Sequence, residues 1–218
     1  MKLYPLNLDV AGKRCAVVGG GDVALRKIRG LLEAGALVRV IAPEICAGVS
    51  KLVDDGEIFW TRENFSPDML NDELLVIAAT DSPEVNRHVA DAAQSRKILA
   101  NVVNGAGGNF FVPSGIRRGD LLLTVSTEGN SPAFAKFLRQ MLEAELGESF
   151  SAGLDIIARY RREVKHRLPN PQARKIFWQQ ILTQEAWQLL KSGQLDELEA
   201  IINHALESFG AQSHDGTR

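Results

Sequence analysis

Gly19, Gly21 and Ala24 stand at the spacing G-x-G-x-x-A, inside the stretch VVGGGDVALRKIRGLLEAG from Val17 to Gly35. That spacing can hold a dinucleotide. The first glycine permits a tight turn, the second lets backbone approach a pyrophosphate, and the third position needs a small residue where helix packs on strand. The anion then rests on a helix N-terminus, where backbone N–H groups lack partners. The bare pattern is common, and its context strengthens it: an apolar strand-like run precedes it and a helical run follows. An acid about 20 residues on, at the end of the second strand, normally holds the ribose. There the chain reads VIAPE, so the contact falls to Glu44 or to backbone near Pro43. Arg39 lies within that strand and no arginine stands at its end to meet a 2′-phosphate, which favours NAD over NADP.

These residues need a βαβ unit to position them, and the chain reads as one. Arg14–Gly19 is apolar and strand-like, and the run after it carries Val23, Ile28, Leu31 and Leu32 near a helical period. Ala36–Pro43, Glu57–Arg62, Glu73–Asp81 and Ile98–Val103 read as further strands. Ser82, Pro83 and Glu84 form a helix-start signature before the last of them. Strands alternating with helices imply parallel pairing through right-handed crossovers. The expected fold is α/β, a Rossmann-like doubly wound parallel sheet over residues 1–113. The texture then changes. A glycine-rich loop, Asn104–Asn109, leads into two strands around a turn at Arg117–Asp120 and a helix at Ser131–Leu146. Residues 114–148 are expected to be a dimerisation region. From Ser149 no strand is read, so 149–208 should form a small helical domain broken at Pro169 and Pro171. The polar residues 209–218 read as a disordered tail.

With 218 residues, 45% hydrophobic and 24% charged, the chain can bury a sizeable core as a globular protein. A net charge of -2 gives no overall pull toward nucleic acid or membrane, so neither is expected as a partner. Cys15 and Cys46 form no C-x-x-C pair and no zinc-like spacing with the four histidines, so no metal site is read. Cys15 suits a small core residue, and the thiol usage suits a reducing cytoplasm. The first ten residues lack the apolar core of a secretory leader, and no run reaches the ~20 apolar residues of a membrane span.

Several blocks occur together and in order: VVGGGDVALRK, VIAPE, VIAATD, NVV, and FFVPSGIRRGDLLLTVSTEGNSPAFAKFLR. In this combination the chain resembles the precorrin-2 dehydrogenase module of siroheme synthase, closely from Leu3 to Leu146 and loosely over the helical tail. The resemblance implies NAD-dependent oxidation of precorrin-2 to sirohydrochlorin by a cytoplasmic homodimer, followed in some members by ferrous iron insertion. It implies nucleotide contacts at Asp22 and Val23 after the glycines and at Pro43 and Glu44. It also implies a crevice wall at Thr80 and Asp81, outside the carboxyl ends of the strands.

One position departs from the family. Its motif N-V-V-D ends in an aspartate implicated in dehydrogenation and chelation, and this chain reads Asn101-Val102-Val103-Asn104. A neutral amide accepts hydrogen bonds but neither takes a proton nor holds a cation well. Three readings stand: Asn104 orients substrate, another acid such as Asp120 or Asp81 serves, or catalysis is reduced. Dehydrogenation is expected to persist, because the cofactor carries the hydride chemistry, and chelation to be weak or absent. Thr127 keeps a hydroxyl where the family has a phosphorylatable serine in the site, and it equally suits helix capping before Ser131. The polycarboxylate substrate calls for cations, with Arg117, Arg118, Lys136 and Arg139 as candidates and a basic run at Ala158–Arg167 behind them. Phe177, Trp178 and Trp187 read as core sooner than as a stacking wall for the macrocycle. Two other functions fit parts of the pattern: a regulatory NAD-binding module, and a tetrapyrrole carrier or chelatase without redox activity.

Overall fold

A computed structural model describes residues 2–103 and 105–214, with backbone alone for 210–214. Asn104, the expected catalytic position, and the end of the polar tail lie outside the described residues. The chain divides into two compact units, one from Leu3 to Val112 and one that takes Pro113 onward.

The first unit alternates strand and helix: β1 (Arg14–Val18), α1 (Asp22–Glu33), β2 (Leu37–Ile41), α2 (Ala47–Asp54), β3 (Ile58–Thr61), β4 (Leu75–Ala78), α3 (Pro83–Ser95) and β5 (Leu99–Val102). The strands are parallel in the order β3-β2-β1-β4-β5. This is the expected Rossmann-like sheet. Its central strands are apolar from Cys15 to Val18 and from Leu75 to Ala78 because both faces are covered. Cys15 and Val17 of β1 point into one core with Ile28, Val38, Val40 and Ile77. Ala16 and Val18 point into the other with Val76, Val89 and Ala93. Burial, reinforced by the charge of Glu73, pushes the Cys15 thiol up to about 11, as fits a core residue.

α1 buries Ala24, Ile28 and Leu31 at helical spacing. α3 starts where Ser-Pro-Glu predicts, with the Ser82 hydroxyl accepting from Val85 N–H at 3.3 Å. α2 is not among the elements read from the sequence. It is short, its cap residue Cys46 offers no side-chain hydrogen bond, and a glycine lies inside it, so no start signal marks it. Arg39 of β2 reaches across to the Met69 carbonyl and the Glu73 carboxylate. Burial would raise the Glu73 carboxyl, but backbone N–H groups, among them that of Asn71 at 2.9 Å, and the Arg39 guanidinium outweigh it and hold it below its ordinary range.

The second unit opens with the antiparallel hairpin β6 (Ser114–Arg118) and β7 (Leu121–Val125), followed by α4 (Pro132–Glu145). Four helices follow: α5 (Ser149–Arg167), α6 (Pro171–Ile181), α7 (Gln184–Ser192) and α8 (Leu195–His214). They enclose Phe177, Leu198, Ile202 and Leu206. Phe177 is fully buried with Trp178 and Phe209 edge-on at 5.1 and 5.6 Å, so it is core and not an open wall. α8 runs from Leu195 to His214, and the contact of Phe209 ties the first residue of the segment read from the sequence as a disordered tail to Phe177. Among the described residues no helix is long and apolar enough to cross a membrane. No group of three or more His, Cys, Asp or Glu among them could hold a metal ion.

Candidate functional site

β1 and β4 are neighbours although β2 and β3 lie between them in sequence, so the strand order reverses there. Open α/β sheets bind ligands at such a point, outside the carboxyl ends of the strands. The three consecutive glycines sit at that place and do three different things. Gly19 donates to the Ile41 carbonyl at 3.0 Å and adopts φ +122°, a conformation that side chains disfavour. A Cβ there would stand 2.5 Å from the Ala79 carbonyl oxygen, so the turn lies directly on the end of β4. Gly20 is held from the other side. Its carbonyl accepts from Cys46 N–H at 2.7 Å, and a Cβ would collide with the Glu44 carbonyl. The dinucleotide spacing treats this position as free, and the packing of the turn after β2 makes it a required glycine.

Gly21 is the opposite case. It caps α1 with extended backbone and no side-chain hydrogen bond, and a Cβ there would meet nothing within 4 Å. The helical ladder begins with Leu25 N–H to Gly21 C=O at 2.9 Å, so the N–H groups of Asp22, Val23 and Ala24 precede it. Open space, unladdered donors and the positive end of a helix dipole suit a pyrophosphate. Ala24 is fully buried, which meets the need for a small residue at the third motif position. The residues therefore fit a dinucleotide on an observation independent of the motif: the one glycine that must admit a ligand is the one facing empty space.

Pro43 and Glu44 follow β2 and are exposed at the same edge, with the Glu44 backbone against Gly20. Thr80 and Asp81 follow β4. The Asp81 side chain is exposed, but Thr80 is fully engaged within the protein. Its N–H donates to Asn86 Oδ1 at 3.1 Å, and its carbonyl accepts from Asn86 Nδ2 at 2.9 Å. Its hydroxyl lies 2.8 Å from Asn86 Oδ1 and accepts from Ser82 N–H at 3.2 Å. Thr80 thus shapes the wall and has little hydrogen-bonding capacity left for a ligand. Asn86 was not singled out by sequence reasoning, and the one signal it offered was an amide on the apolar face of α3. At the end of β5, Asn101 Nδ2 donates to the Phe110 carbonyl at 2.9 Å and Asn109 Oδ1 accepts from Ala100 N–H at 2.9 Å. These two amides close the glycine-rich loop onto the strand.

The expected substrate contacts lie in the second unit and divide into two kinds. Arg118 donates through Nε to the Leu146 carbonyl at 3.0 Å and pairs with Glu148 at 3.2 Å. Arg139 pairs with Glu143 one turn along α4. Both therefore hold structure. Arg117 and Lys136 are exposed and have no ion pair among the described residues. The Thr127 hydroxyl donates to the Ser131 carbonyl at 3.0 Å and accepts from Ser131 N–H at 3.2 Å, which closes the turn before α4. Within α5, Arg159 and Arg167 pair with Glu199 and Glu163, while Arg161, Arg162 and Lys165 remain exposed.

Comparison with known proteins agrees with this geometry. Residues 6–114 match the family model described as "Putative NAD(P)-binding". Residues 118–145 match the sirohaem biosynthesis protein central region, and 154–206 the sirohaem synthase dimerisation region. The match named for dimerisation thus falls on α5–α8, C-terminal to the hairpin and α4. The siroheme synthase of Photorhabdus laumondii is 36% identical over 213 residues, 97% of this chain and 45% of that protein. Siroheme synthase 1 of Serratia proteamaculans is 36% identical over all of this chain and 46% of its own length. The chain therefore spans just under half of these relatives. The solved structure of SirC, a precorrin-2 dehydrogenase, superposes with a TM-score of 0.71 at 27% identity, over 91% of this chain and 100% of that one. With half of its residues in the first match and the two sirohaem regions following in order, the chain belongs to the putative NAD(P)-binding family.

Proposed function

We propose that the chain is an NAD-dependent precorrin-2 dehydrogenase that yields sirohydrochlorin, working as a homodimer in the cytoplasm. The observation that carries the reading is the likeness to the whole length of SirC, described as a precorrin-2 dehydrogenase, together with a glycine turn open only at Gly21. NAD, when bound, supplies the hydride acceptor. The chain's own residues do the rest. Gly21 admits the pyrophosphate to the N–H groups of Asp22 and Val23. Glu44 or backbone near Pro43 meets the ribose, and no arginine follows β2 to favour a 2′-phosphate. Arg117 and Lys136, whose charges are not spent internally, meet carboxylates of the substrate disc, with Arg161, Arg162 and Lys165 as further cationic groups. Asn104 orients substrate as a neutral hydrogen-bonding group, and iron insertion is weak for want of a carboxylate there. Thr127 supplies a hydroxyl that also closes the turn before α4.

A second reading, a tetrapyrrole carrier without redox activity, rests on Asn104 alone. Anaerobic turnover of precorrin-2 with NAD, followed as NADH formation for wild type and Asn104→Asp, separates them. Wild-type turnover is the expected result. Turnover only by Asn104→Asp makes the natural chain a carrier, and absence of turnover in both removes the substrate assignment.

A further inference from the structure

We propose that Asn86 is a positioning residue for the cofactor crevice, acting through the peptide bond between Ala79 and Thr80. The inference rests on the NAD reading for its binding arm and on geometry for the rest. A trans peptide points its N–H and C=O in opposite directions. In this peptide the Thr80 N–H donates to Asn86 Oδ1 at 3.1 Å. The Ala79 carbonyl faces the other way, onto Gly19, where a Cβ would stand 2.5 Å from that oxygen and 2.8 Å from its carbon. The direction in which Asn86 holds the N–H therefore sets the surface on which the glycine turn rests. The next peptide is held by the same side chain, since Asn86 Nδ2 donates to the Thr80 carbonyl at 2.9 Å.

A primary amide is suited to this because it offers one acceptor and one donor side by side, as a backbone peptide does. β4 ends at Ala78, and among the described residues its last ladder bonds are Ala79 N–H to Val18 C=O at 2.8 Å and Val103 N–H to Ala78 C=O at 3.0 Å. Asn86 takes over the ladder's role there for one more residue. It is 2% exposed, on the face of α3 that also carries Val89, Ala90 and Ala93. Asparagine is a poor helix former, and an alanine or leucine would serve the apolar face better. What the amide adds is the fixed orientation of two successive peptides at the point where the strand order reverses. Ser82, which caps α3, is tied into the same cluster through the Thr80 hydroxyl, so hydrogen bonds join the helix start to the crevice wall.

The test compares wild type with Asn86→Asp and Asn86→Leu in the full chain. Aspartate keeps the shape of asparagine but places a second acceptor against the Thr80 carbonyl. Leucine keeps apolar volume and removes both bonds. Two readouts are taken: NADH affinity by fluorescence titration, and amide hydrogen exchange of Thr80 and Gly19, which donate to Asn86 Oδ1 and to the Ile41 carbonyl. Both variants should lose protection at these amides while Val38 and Val40 in β2 keep theirs, and both should weaken NADH binding about tenfold. Wild-type behaviour of Asn86→Asp in exchange overturns the proposal, because a packing role alone tolerates an isosteric side chain. Loss of protection spread evenly over the first unit also overturns it, since that is general destabilisation. If wild type itself binds no NADH, the cofactor reading fails, and the exchange pattern still decides the role of Asn86.

Discussion

At Gly20 and Gly21, adjacent residues of one type separate folding from binding. Gly20 has backbone of Glu44 where its side chain would go, and Gly21 has nothing. Gly20→Ala should therefore cost about 1–3 kcal/mol of stability, because the turn after β2 must shift to admit a methyl group. Gly21→Ala should melt within about 0.5 kcal/mol of wild type. Its methyl group enters the space reserved for the pyrophosphate, so its NADH affinity should fall at least about tenfold. Thermal melts and NADH titrations on the two variants check both statements. An equal loss of affinity and stability in both would sink the distinction. The motif identified Gly19, Gly21 and Ala24, but the role of Gly20 was illegible because it depends on a loop more than twenty residues away.

Among the elements, β2 is tied to the segment leading into β4 by Arg39 and Glu73, below the level of the crevice. The folded chain holds the Glu73 carboxyl below its ordinary range, so its contribution to stability is full above that range. It is lost as pH falls through the lowered value, where the folded chain too takes up the proton. Glu73→Gln should thus cost about 2 kcal/mol at pH 7, and the difference from wild type should shrink steadily below about pH 4. Urea melts across that range measure it, and a cost independent of pH would contradict the pairing. From sequence Arg39 was legible only as an arginine inside a strand. Its partner was not, since Glu73 sits 34 positions on and meets it only when β2 and β4 flank β1.

For the whole molecule, the exposed surface of α4 carries the argument about assembly. Phe134, Phe137 and Met141 lie one turn apart along the helix, each more than half exposed. A contiguous apolar stripe of that kind on a small protein marks an interaction surface. The hairpin beside α4 has only two strands, so each keeps an unpaired edge. With the proposed homodimer, Phe137→Glu should shift the chain to monomer in sedimentation at micromolar concentration while leaving the NADH affinity of the first unit intact. A dimer unchanged by that substitution would place the contact on α5–α8, where the dimerisation-region match falls.

Local signals were enough for most of the fold. Alternating strand and helix runs, the Ser82-Pro83 start and the glycine spacing each depend on residues within a few positions of one another, and the sheet and its crevice follow from them. α2 escaped because it is short and carries no capping side chain. The pairing of Phe209 with Phe177 escaped because it forms only when the helices pack. Composition read Arg117, Arg118, Lys136 and Arg139 as equivalent cations. Tertiary structure divided them, because Glu143 and Glu148 neutralise Arg118 and Arg139 through contacts set by the packing of the hairpin on α4 and by the turn of that helix. Asn86 shows the same limit most clearly: its amide reads as a helix residue in one dimension, and becomes the partner of two peptides only when α3 folds back onto the end of β4.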